Sequence, residues 1–384
     1  MINMIPHKRE KSKFFLDISQ TKEKLMKIHR DFTGGNIRFV RQEGDTVWLE
    51  NEIRDTTRDW FYWAFCAEGA AGQTLTFRFA QGKRVGYWGP AVSHDLEEWR
   101  WLDQRDGEGF TYRFAPDEDR VYFAHHLLYH PDRFFRFARE NGYQVRTLCQ
   151  SKKGREIPCL RFGSGETVML LTARHHACES TGNYVLEGVL SSLAERPIPG
   201  VRVLCVPFVD FDGVVDGDQG KDRAPHDPNR DYDTFPALYP AVEEIRREAD
   251  RAKILYGFDF HAPGHNGGEH DHIYIVRNSV SRIGRFDRFS ALLEQNLTPD
   301  AMKYSPADDC QPNTRWNKPS PNFGYTMTHR YPGCRLAFSL ESTYAGTPDN
   351  KTSAPRLIAL GRCFAEAVRI YMKEADPGSA QDGT

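Results

Sequence analysis

Residues 168–179, which read VMLLTARHHACE, decide how this chain folds. Their first four residues, 168–171, are all apolar, which is typical of a short strand buried on both faces of a sheet. A polar segment containing His175, His176 and Glu179 follows directly. An imidazole and a carboxylate three or four residues apart at a strand-to-helix junction can reach one metal ion. The spacing alone is compatible with either histidine as the ligand. The simpler alternative to metal binding is that Glu179 stabilises the N-terminus of the helix.

Further apolar runs separated by helical stretches continue this pattern toward the C-terminus. Runs that are continuous rather than alternating favour a sheet covered by helices on both sides. The sequence therefore predicts an α/β fold with a mixed, mostly parallel sheet flanked by helices, and a last helix that begins after Ser353. The further strands are expected at residues 201–206, 254–258, 273–276 and 336–340.

Three more polar clusters lie near these predicted strands, where the carboxyl ends of parallel strands meet at one edge of a sheet. His261 closes a strand and shares a face with Asp259, which is expected to orient a ligand or to line the pocket. Asn229 and Arg230 end a loop, where a guanidinium beside an amide can hold a carboxylate, although a solvated charge cluster is the alternative. Glu341 follows an apolar strand directly, so burial is expected to raise its pKa into the range of a general base.

The order of these motifs resembles that of the M14 zinc carboxypeptidases. Residues 176–179 fit the family pattern H-x-x-E, residues 227–230 fit D-x-N-R, and His261 and Glu341 follow in the family's order. The likeness is closer to the cytosolic carboxypeptidase branch and its bacterial relatives. Members of that branch carry an N-terminal β-sandwich with a W-F-Y segment, which residues 60–62 match.

The resemblance implies one zinc ion per chain, held by His176, Glu179 and His261. Of the two adjacent histidines, only His176 fits H-x-x-E. The resemblance also implies that Glu341 is the general base of the reaction. Asp227 is then expected to interact with one of the metal ligands without binding the metal itself.

The same resemblance predicts the substrate and the reaction. Asn229 and Arg230 would grip the terminal carboxylate of a peptide or protein, and Arg223 would polarise the scissile carbonyl, with Lys221 as the competing cation. The implied function is a zinc metallocarboxypeptidase that hydrolyses a C-terminal peptide or side-chain amino-acid amide bond. The alternative on the same scaffold is a zinc-dependent deacylase of a small acylated amino acid. A binding module that only holds zinc is disfavoured, because a structural zinc site has no need of Glu341.

The sequence departs from the family pattern at three places. Residues 259–265 read DFHAPGH where the branch has D-x-H-G-H, so the loop after the third ligand differs. Residues 177–178 are Ala and Cys, where digestive members carry an arginine. The substrate-capping tyrosine of the family has three candidates, Tyr325, Tyr331 and Tyr344.

The chain before about residue 120 has a different character, with crowded aromatic residues and glycines at turn positions. Residues 74–79 alternate polar and apolar, the period of a half-buried strand. We therefore predict an antiparallel β-sandwich domain at residues 1–125, a catalytic domain at 126–375 and a disordered polar tail at 376–384.

Composition narrows the classes of partner. The 384 residues carry 51 basic and 53 acidic side chains, so no strong overall field favours nucleic acid or an anionic membrane. No run approaches the roughly 18 apolar residues of a membrane span. The eight cysteines are irregularly spaced and form no C-x-x-C pair, which predicts reduced thiols and a cytoplasmic location.

Overall fold

The computed structural model describes residues 26–104, 106–265 and 267–375, so the predicted tail at 376–384 lies outside the described residues. The first part of the described chain forms two sheets. One has the strand order β1-β4-β9-β6-β7 and the other β2-β3-β5-β8. The strands are β1 (Lys27–His29), β2 (Arg38–Glu43), β3 (Thr46–Glu50), β4 (Ala64–Glu68), β5 (Thr74–Phe79), β6 (Ala91–Ser93), β7 (Arg100–Trp101), β8 (Gly109–Arg113) and β9 (Arg120–Ala124).

Aromatic rings fill the space between these two sheets. Phe77 of β5 lies 5.3 Å from Phe65 of β4 and 5.4 Å from Phe123 of β9, measured between ring centroids. The alternation in β5 points Phe77 inward together with Leu75 and Phe79, as its period predicted. All strand pairs in the two sheets are antiparallel except β3 and β5. These two run parallel because the intervening β4 crosses to the other sheet.

The second part of the chain is built on a seven-stranded sheet of order β10-β11-β13-β12-β14-β16-β15. The central strands β13, β12, β14 and β16 are parallel, whereas β10, β11 and β15 join the edges antiparallel. A small hairpin of β17 (Gly346–Thr347) and β18 (Asn350–Lys351) follows. The strands are β10 (Val145–Gln150), β11 (Glu156–Gly163), β12 (Thr167–Ala173), β13 (Val201–Val206), β14 (Ile254–His261), β15 (Tyr274–Val276) and β16 (Cys334–Glu341).

Helices cover both faces of this sheet. Alternate residues of β12 enter different cores, with Met169 and Leu171 in one and Val168 and Leu170 in the other. The first core includes residues of α2, α5 and α7, and the second includes residues of α4 and α6. The helices are α1 (Pro131–Glu140), α2 (Thr181–Glu195), α3 (Phe211–Asp216), α4 (Pro240–Asp250), α5 (Ile283–Gln295), α6 (Phe323–Arg330) and α7 (Ala354–Ala375).

Helices α2 and α7 pack backbone to backbone through two glycines. A Cβ atom on Gly188 would lie 2.0 Å from the carbonyl oxygen of Ile358, and one on Gly361 would lie 2.0 Å from that of Val185. Side chains at these positions would push the helices apart. The contact fixes α2, which begins at the end of the H-x-x-E turn.

The parallel strands bring the predicted site residues to one edge of the sheet. β12 pairs with β14 up to Ala173 and Phe260, and β14 pairs with β16 up to His261 and Glu341. The carboxyl ends of the three strands are therefore level. The segment with His176 starts at the same edge.

The two parts of the chain are joined by buried contacts. The indole N–H of Trp88 donates to the carbonyl of Ala345 (2.9 Å), and that of Trp101 donates to Thr352 (2.8 Å). The predicted boundary at residue 125 falls in the connection between β9 and α1. We call residues 26–125 the N-terminal module.

The cysteines and the helices can be compared with the expectations from composition. All eight cysteines are free, and seven of them are buried. Within the described residues, no helix combines the length and the apolar character that crossing a bilayer requires.

Candidate metal centre and active site

Three predicted ligands converge beyond β12 and β14. The Nδ1 atom of His176 lies 2.9 Å from Oε1 of Glu179, and Nδ1 of His261 lies 2.6 Å from Oε2 of the same carboxylate. The three ligand atoms lie within 4.8 Å of one another. The turn between β12 and α2 supplies the first two residues, and the end of β14 supplies the third.

The opposite nitrogen of each ring faces a second carboxylate. Nε2 of His176 lies 3.5 Å from Asp227, and Nε2 of His261 lies 2.5 Å from Asp259. Such partners fix the ring orientation and make the free nitrogen a better ligand. Asp227 therefore lies next to His176, on the opposite side of the ring from Glu179.

The donor set fits a divalent metal of the zinc type. If each Nε2 carries the proton that faces its carboxylate, both Nδ1 lone pairs point at the oxygens of Glu179, so acceptors face acceptors. A cation shared by the three groups removes this conflict, and two imidazoles with one carboxylate suit zinc. Burial opposes charge on His261, but Asp259 and Glu179 outweigh it and raise its pKa, so the surroundings favour positive charge here.

His175 lies beside this cluster with both ring nitrogens occupied. It is completely buried, with Nδ1 2.8 Å from Asp259 and Nε2 2.7 Å from the hydroxyl of Tyr232. His175, Asp259 and His261 form a second group with metal-ligating atoms in close range. His176 lines the cavity and His175 does not, so His176 is the histidine more available to a metal ion in the cavity.

Glu341 closes the parallel strand next to His261. The residue is 6% exposed, and its Oε2 atom has no hydrogen-bond partner among the described residues. Burial raises the pKa of Glu341 to about 7; the charge of Glu179 adds to this effect and the ring of His261 opposes it. A carboxyl with a pKa near neutrality can exchange protons at the pH of a cell.

These groups open into one cavity of about 390 Å³. Arg230 contributes to its wall, and its guanidinium makes a hydrogen bond to the carbonyl of Asn229. Asn229 itself is buried, with its Nδ2 atom 3.2 Å from His261 and its Oδ1 atom accepting from the amide of Phe323. The residues that line the cavity are Arg58, Trp60, His176, Glu179, Lys221, Asp222, Asp227, Arg230, Ala262, Pro263, Gly264, His270, Trp316 and Glu341.

The two candidate cations for polarising a carbonyl lie in different surroundings. Arg223 is outside the cavity wall and forms ion pairs with Asp55, Asp210 and Asp218 at 3.1, 2.6 and 2.9 Å. A guanidinium held by three carboxylates is not free to meet a substrate, so the structure gives the prediction for Arg223 no support. Lys221 lines the cavity instead, with Nζ 2.6 Å from Glu179.

The three candidate capping tyrosines do not line the cavity. Tyr344 is buried beside Cys178, Tyr331 reaches the carbonyl of Arg246, and Tyr325 stacks on His329. Trp60 and Trp316 line the cavity wall, where the sequence interpretation had foreseen no aromatic residue. A tryptophan within a polar loop, as at position 316, was the signal available in the sequence.

Comparison with known proteins shows what this chain is similar to. Residues 28–126 match the family model for the cytosolic carboxypeptidase N-terminal domain. Human cytosolic carboxypeptidase 2 is 25% identical over 267 residues. The chain is a homologue of the cytosolic carboxypeptidases. An uncharacterised protein of Zymomonas mobilis is 27% identical over 304 residues, which are 73% of this chain and 77% of that protein.

Solved bacterial structures share the fold. A metallo-carboxypeptidase from Pseudomonas aeruginosa, solved with (2-guanidinoethylmercapto)succinic acid, has a TM-score of 0.75 and 21% identity. The alignment covers 91% of this chain and 99% of that chain. A metallo-carboxypeptidase from Burkholderia cenocepacia has a TM-score of 0.73 and 18% identity, with the same coverage. The architecture is therefore that of the M14 metallocarboxypeptidases, including the N-terminal module.

The curated cytosolic carboxypeptidases are much longer than the matched region. The alignment covers 62% of this chain but only 29% of the human protein. Activity and substrate are therefore argued from the residues of this chain.

Proposed function

We propose that this chain is a zinc-dependent metallocarboxypeptidase that removes the C-terminal residue of a peptide or protein, or an amino acid linked through a side chain. The observation that carries the proposal is the shared cavity in which His176, Glu179 and Glu341 meet Arg230, with His261 directly behind. Hydrolysis at a terminal carboxylate requires three parts: a set of metal ligands, a carboxylate oxygen that can take a proton, and a cation that can bind the carboxylate of the substrate.

One zinc ion per chain would be held by His176, Glu179 and His261. When bound, zinc supplies positive charge that lowers the pKa of a water molecule and polarises a carbonyl group. Asp227 and Asp259 keep the two rings oriented for this role. Two imidazoles and one carboxylate are a ligand set that suits zinc, which supports this assignment.

Glu341 is the general base in this proposal. Its Oε2 atom, which is buried and has no hydrogen-bond partner in the described part of the chain, accepts a proton from the attacking water. The same oxygen later returns that proton to the nitrogen of the leaving amine.

Arg230 selects substrates with a free terminal carboxylate. Among the described residues no carboxylate forms an ion pair with Arg230. Its guanidinium group can therefore bind an anionic ligand. Asn229 is committed to Phe323 and His261, so we assign it mainly the positioning of this loop. We further propose a cytoplasmic location, which the eight free cysteines support.

The proposal is tested with peptides that differ only in their last residue. The zinc-loaded protein is expected to release single C-terminal amino acids, and Glu341→Gln should lower the rate about 100- to 10,000-fold because it removes the base. The zinc content of this variant should match that of the unaltered protein. Internal cleavage, or release of an acyl group from a small acylated amino acid in preference to peptides, would contradict the proposal.

A further inference from the structure

Arg174 is a buried arginine that directly follows β12, at the start of the H-x-x-E turn. It is 4% exposed, and among the described residues no carboxylate forms an ion pair with it. A guanidinium group buried without a charged partner destabilises a protein unless hydrogen bonds satisfy its N–H groups. The backbone of Arg174 also has a φ of +59°, which is uncommon for a residue with a side chain. Two unfavourable features at one residue, next to the predicted metal ligands, indicate a functional constraint.

The guanidinium group of Arg174 binds one carbonyl group of the turn. Its Nε atom donates to the carbonyl oxygen of Ala177 at 2.7 Å, and its Nη2 atom donates to the same oxygen. On the other side of that peptide bond, the amide of Cys178 donates to the carbonyl of Gln219 at 3.2 Å. The peptide unit between Ala177 and Cys178 is therefore held at both its oxygen and its nitrogen. This unit lies midway between the two predicted ligands of the turn, so its orientation affects the directions of both side chains.

The same guanidinium group is anchored to structure outside the turn. Its Nη1 atom donates to the carbonyl of Tyr129 at 3.3 Å and to Oδ1 of Asn183 at 3.2 Å. Asn183 lies in the first turn of α2, and its Nδ2 atom donates to the carbonyl of Pro207 at 2.9 Å. Arg174 therefore connects the turn to α2 and to the segment between β9 and α1. A planar guanidinium group can make these contacts together because its five N–H groups point in fixed directions.

The backbone of Arg174 is held as well as its side chain. Its carbonyl oxygen accepts a hydrogen bond from the amide of Asp210 at 2.9 Å. The next two residues then face different surroundings, since His175 contacts the buried Asp259 and His176 lines the cavity. The turn is thus fixed at its first residue and at its middle.

We propose that Arg174 is a positioning residue that holds the turn in its metal-binding geometry before a metal ion binds. This inference rests on the ligand assignment within the proposed function. A turn that is already ordered loses less conformational freedom when His176 and Glu179 bind a metal, so the metal binds more tightly. Arg174 binds backbone and amide oxygens and takes no part in the proton transfers of the reaction.

The alternative is that Arg174 only stabilises the fold, and a second arginine provides the matched control. Arg133 binds Glu187 of α2 at 2.7 Å, and its guanidinium carbon lies 5.6 Å from the ring centroid of Tyr129. Among the described residues it makes no hydrogen bond to the turn. Arg174→Met and Arg133→Met remove the same group from two sites that share Tyr129 and α2 as neighbours.

The two variants are compared by zinc affinity, measured in competition with a chelator of known affinity. Arg174→Met should raise the Kd for zinc about 10- to 100-fold, the range typical of residues that orient metal ligands. Arg133→Met should lower the thermal stability and leave the Kd for zinc unchanged. An unchanged Kd in Arg174→Met, or an equal increase in both variants, would overturn the proposal.

Cobalt substitution gives a second measurement that does not depend on turnover. The visible absorption of bound Co²⁺ depends on the geometry of its ligands, so Arg174→Met should change the spectrum and Arg133→Met should not. Arg174→Lys keeps the charge and one donor, and it should show a Kd for zinc between those of Arg174→Met and the unaltered protein. If Arg174→Met does not fold, Arg174→Lys decides the question. Full zinc affinity and an unaltered cobalt spectrum in Arg174→Lys would then overturn the proposal.

Failure of this inference is distinguishable from failure of the proposed function. If zinc affinity depends on Arg174 as expected but the unaltered protein releases no C-terminal residue from any peptide, only the proposed function fails. If the unaltered protein releases such residues while Arg174→Met and Arg174→Lys keep full zinc affinity, only the role of Arg174 is excluded. An unaltered protein that binds no zinc would overturn both.

Discussion

At the residue scale, the two adjacent histidines of the H-x-x-E turn differ in what their nitrogens already bind. His175 is held between Asp259 and Tyr232, deep in the protein. His176 turns its Nδ1 atom toward Glu179, on the side of the cavity. The sequence spacing is compatible with either histidine as the metal ligand. A residue three positions before Glu179 and one four positions before it can both bring their side chains close to its carboxylate. The choice between them depends on Tyr232, which lies 57 residues from His175 in the sequence.

We expect His176→Ala to lose its stoichiometric zinc and His175→Ala to retain it. The first change removes a ligand, whereas the second removes hydrogen bonds behind the site, a change that typically weakens metal binding about 10- to 100-fold or less. Elemental analysis of purified variants measures the difference, with thermal unfolding as the control for folding. Full zinc in His176→Ala together with loss in His175→Ala would show that the ligand assignment is wrong.

At the element scale, the α2–α7 contact holds the helix that follows the metal-binding turn. Gly188→Ala would put a methyl group 2.0 Å from the carbonyl of Ile358, so the helices must separate. Overpacking of this kind costs about 1–3 kcal/mol, and we expect the free energy of unfolding to fall by about that amount. Chemical denaturation measures it.

Gly284→Ala is the matched control, because a Cβ atom on Gly284 of α5 meets nothing within 4 Å. This change should leave stability unchanged or raise it by up to about 1 kcal/mol, since alanine favours the helix. Equal effects of the two substitutions would show that helix propensity, and not the close contact, determines the change in stability at Gly188.

The sequence predicted the elements wherever one local pattern decides them. The continuous apolar run correctly predicted β12, because a strand buried on both faces is apolar at every position. The alternation correctly predicted β5, because a strand buried on one face is apolar at every second position. The parallel pairing of β3 with β5 was not predicted, since it depends on β4 joining the other sheet. Likewise, Lys221 lines the cavity and Arg223 does not, and this depends on Asp55, which binds Gly220 and Arg223 from more than 160 residues away.

At the scale of the whole molecule, the N-terminal module contributes residues to the wall of the candidate active-site cavity. Phe61 packs with Ala262 and Tyr344 in one apolar cluster, next to the third predicted metal ligand. Trp60 and Arg58 line the cavity itself. Without the module, the second part of the chain would expose these apolar contacts and would lose the hydrogen bonds from Asp55 to residues 219–220.

We therefore expect limited proteolysis to yield no stable, active fragment that begins near residue 130. The buried hydrogen bonds from Trp88 and Trp101 to the catalytic domain resist separation of the two parts. The measurement combines mass spectrometry of the fragments with a peptide-cleavage assay on each. Isolation of such a fragment with full activity would contradict the role given to the module.

The central claim, that this site reads a free C-terminus, is tested most directly by comparing a peptide acid with its C-terminal amide. Replacing the carboxylate with a neutral amide leaves Arg230 without its charged partner, which costs roughly 2–5 kcal/mol, or about 30- to several-thousand-fold in rate. The unaltered protein should cleave the acid and spare the amide. Arg230→Ala should lower cleavage of the acid and remove the discrimination, with zinc retained. Equal cleavage of acid and amide by the unaltered protein would contradict the carboxypeptidase assignment.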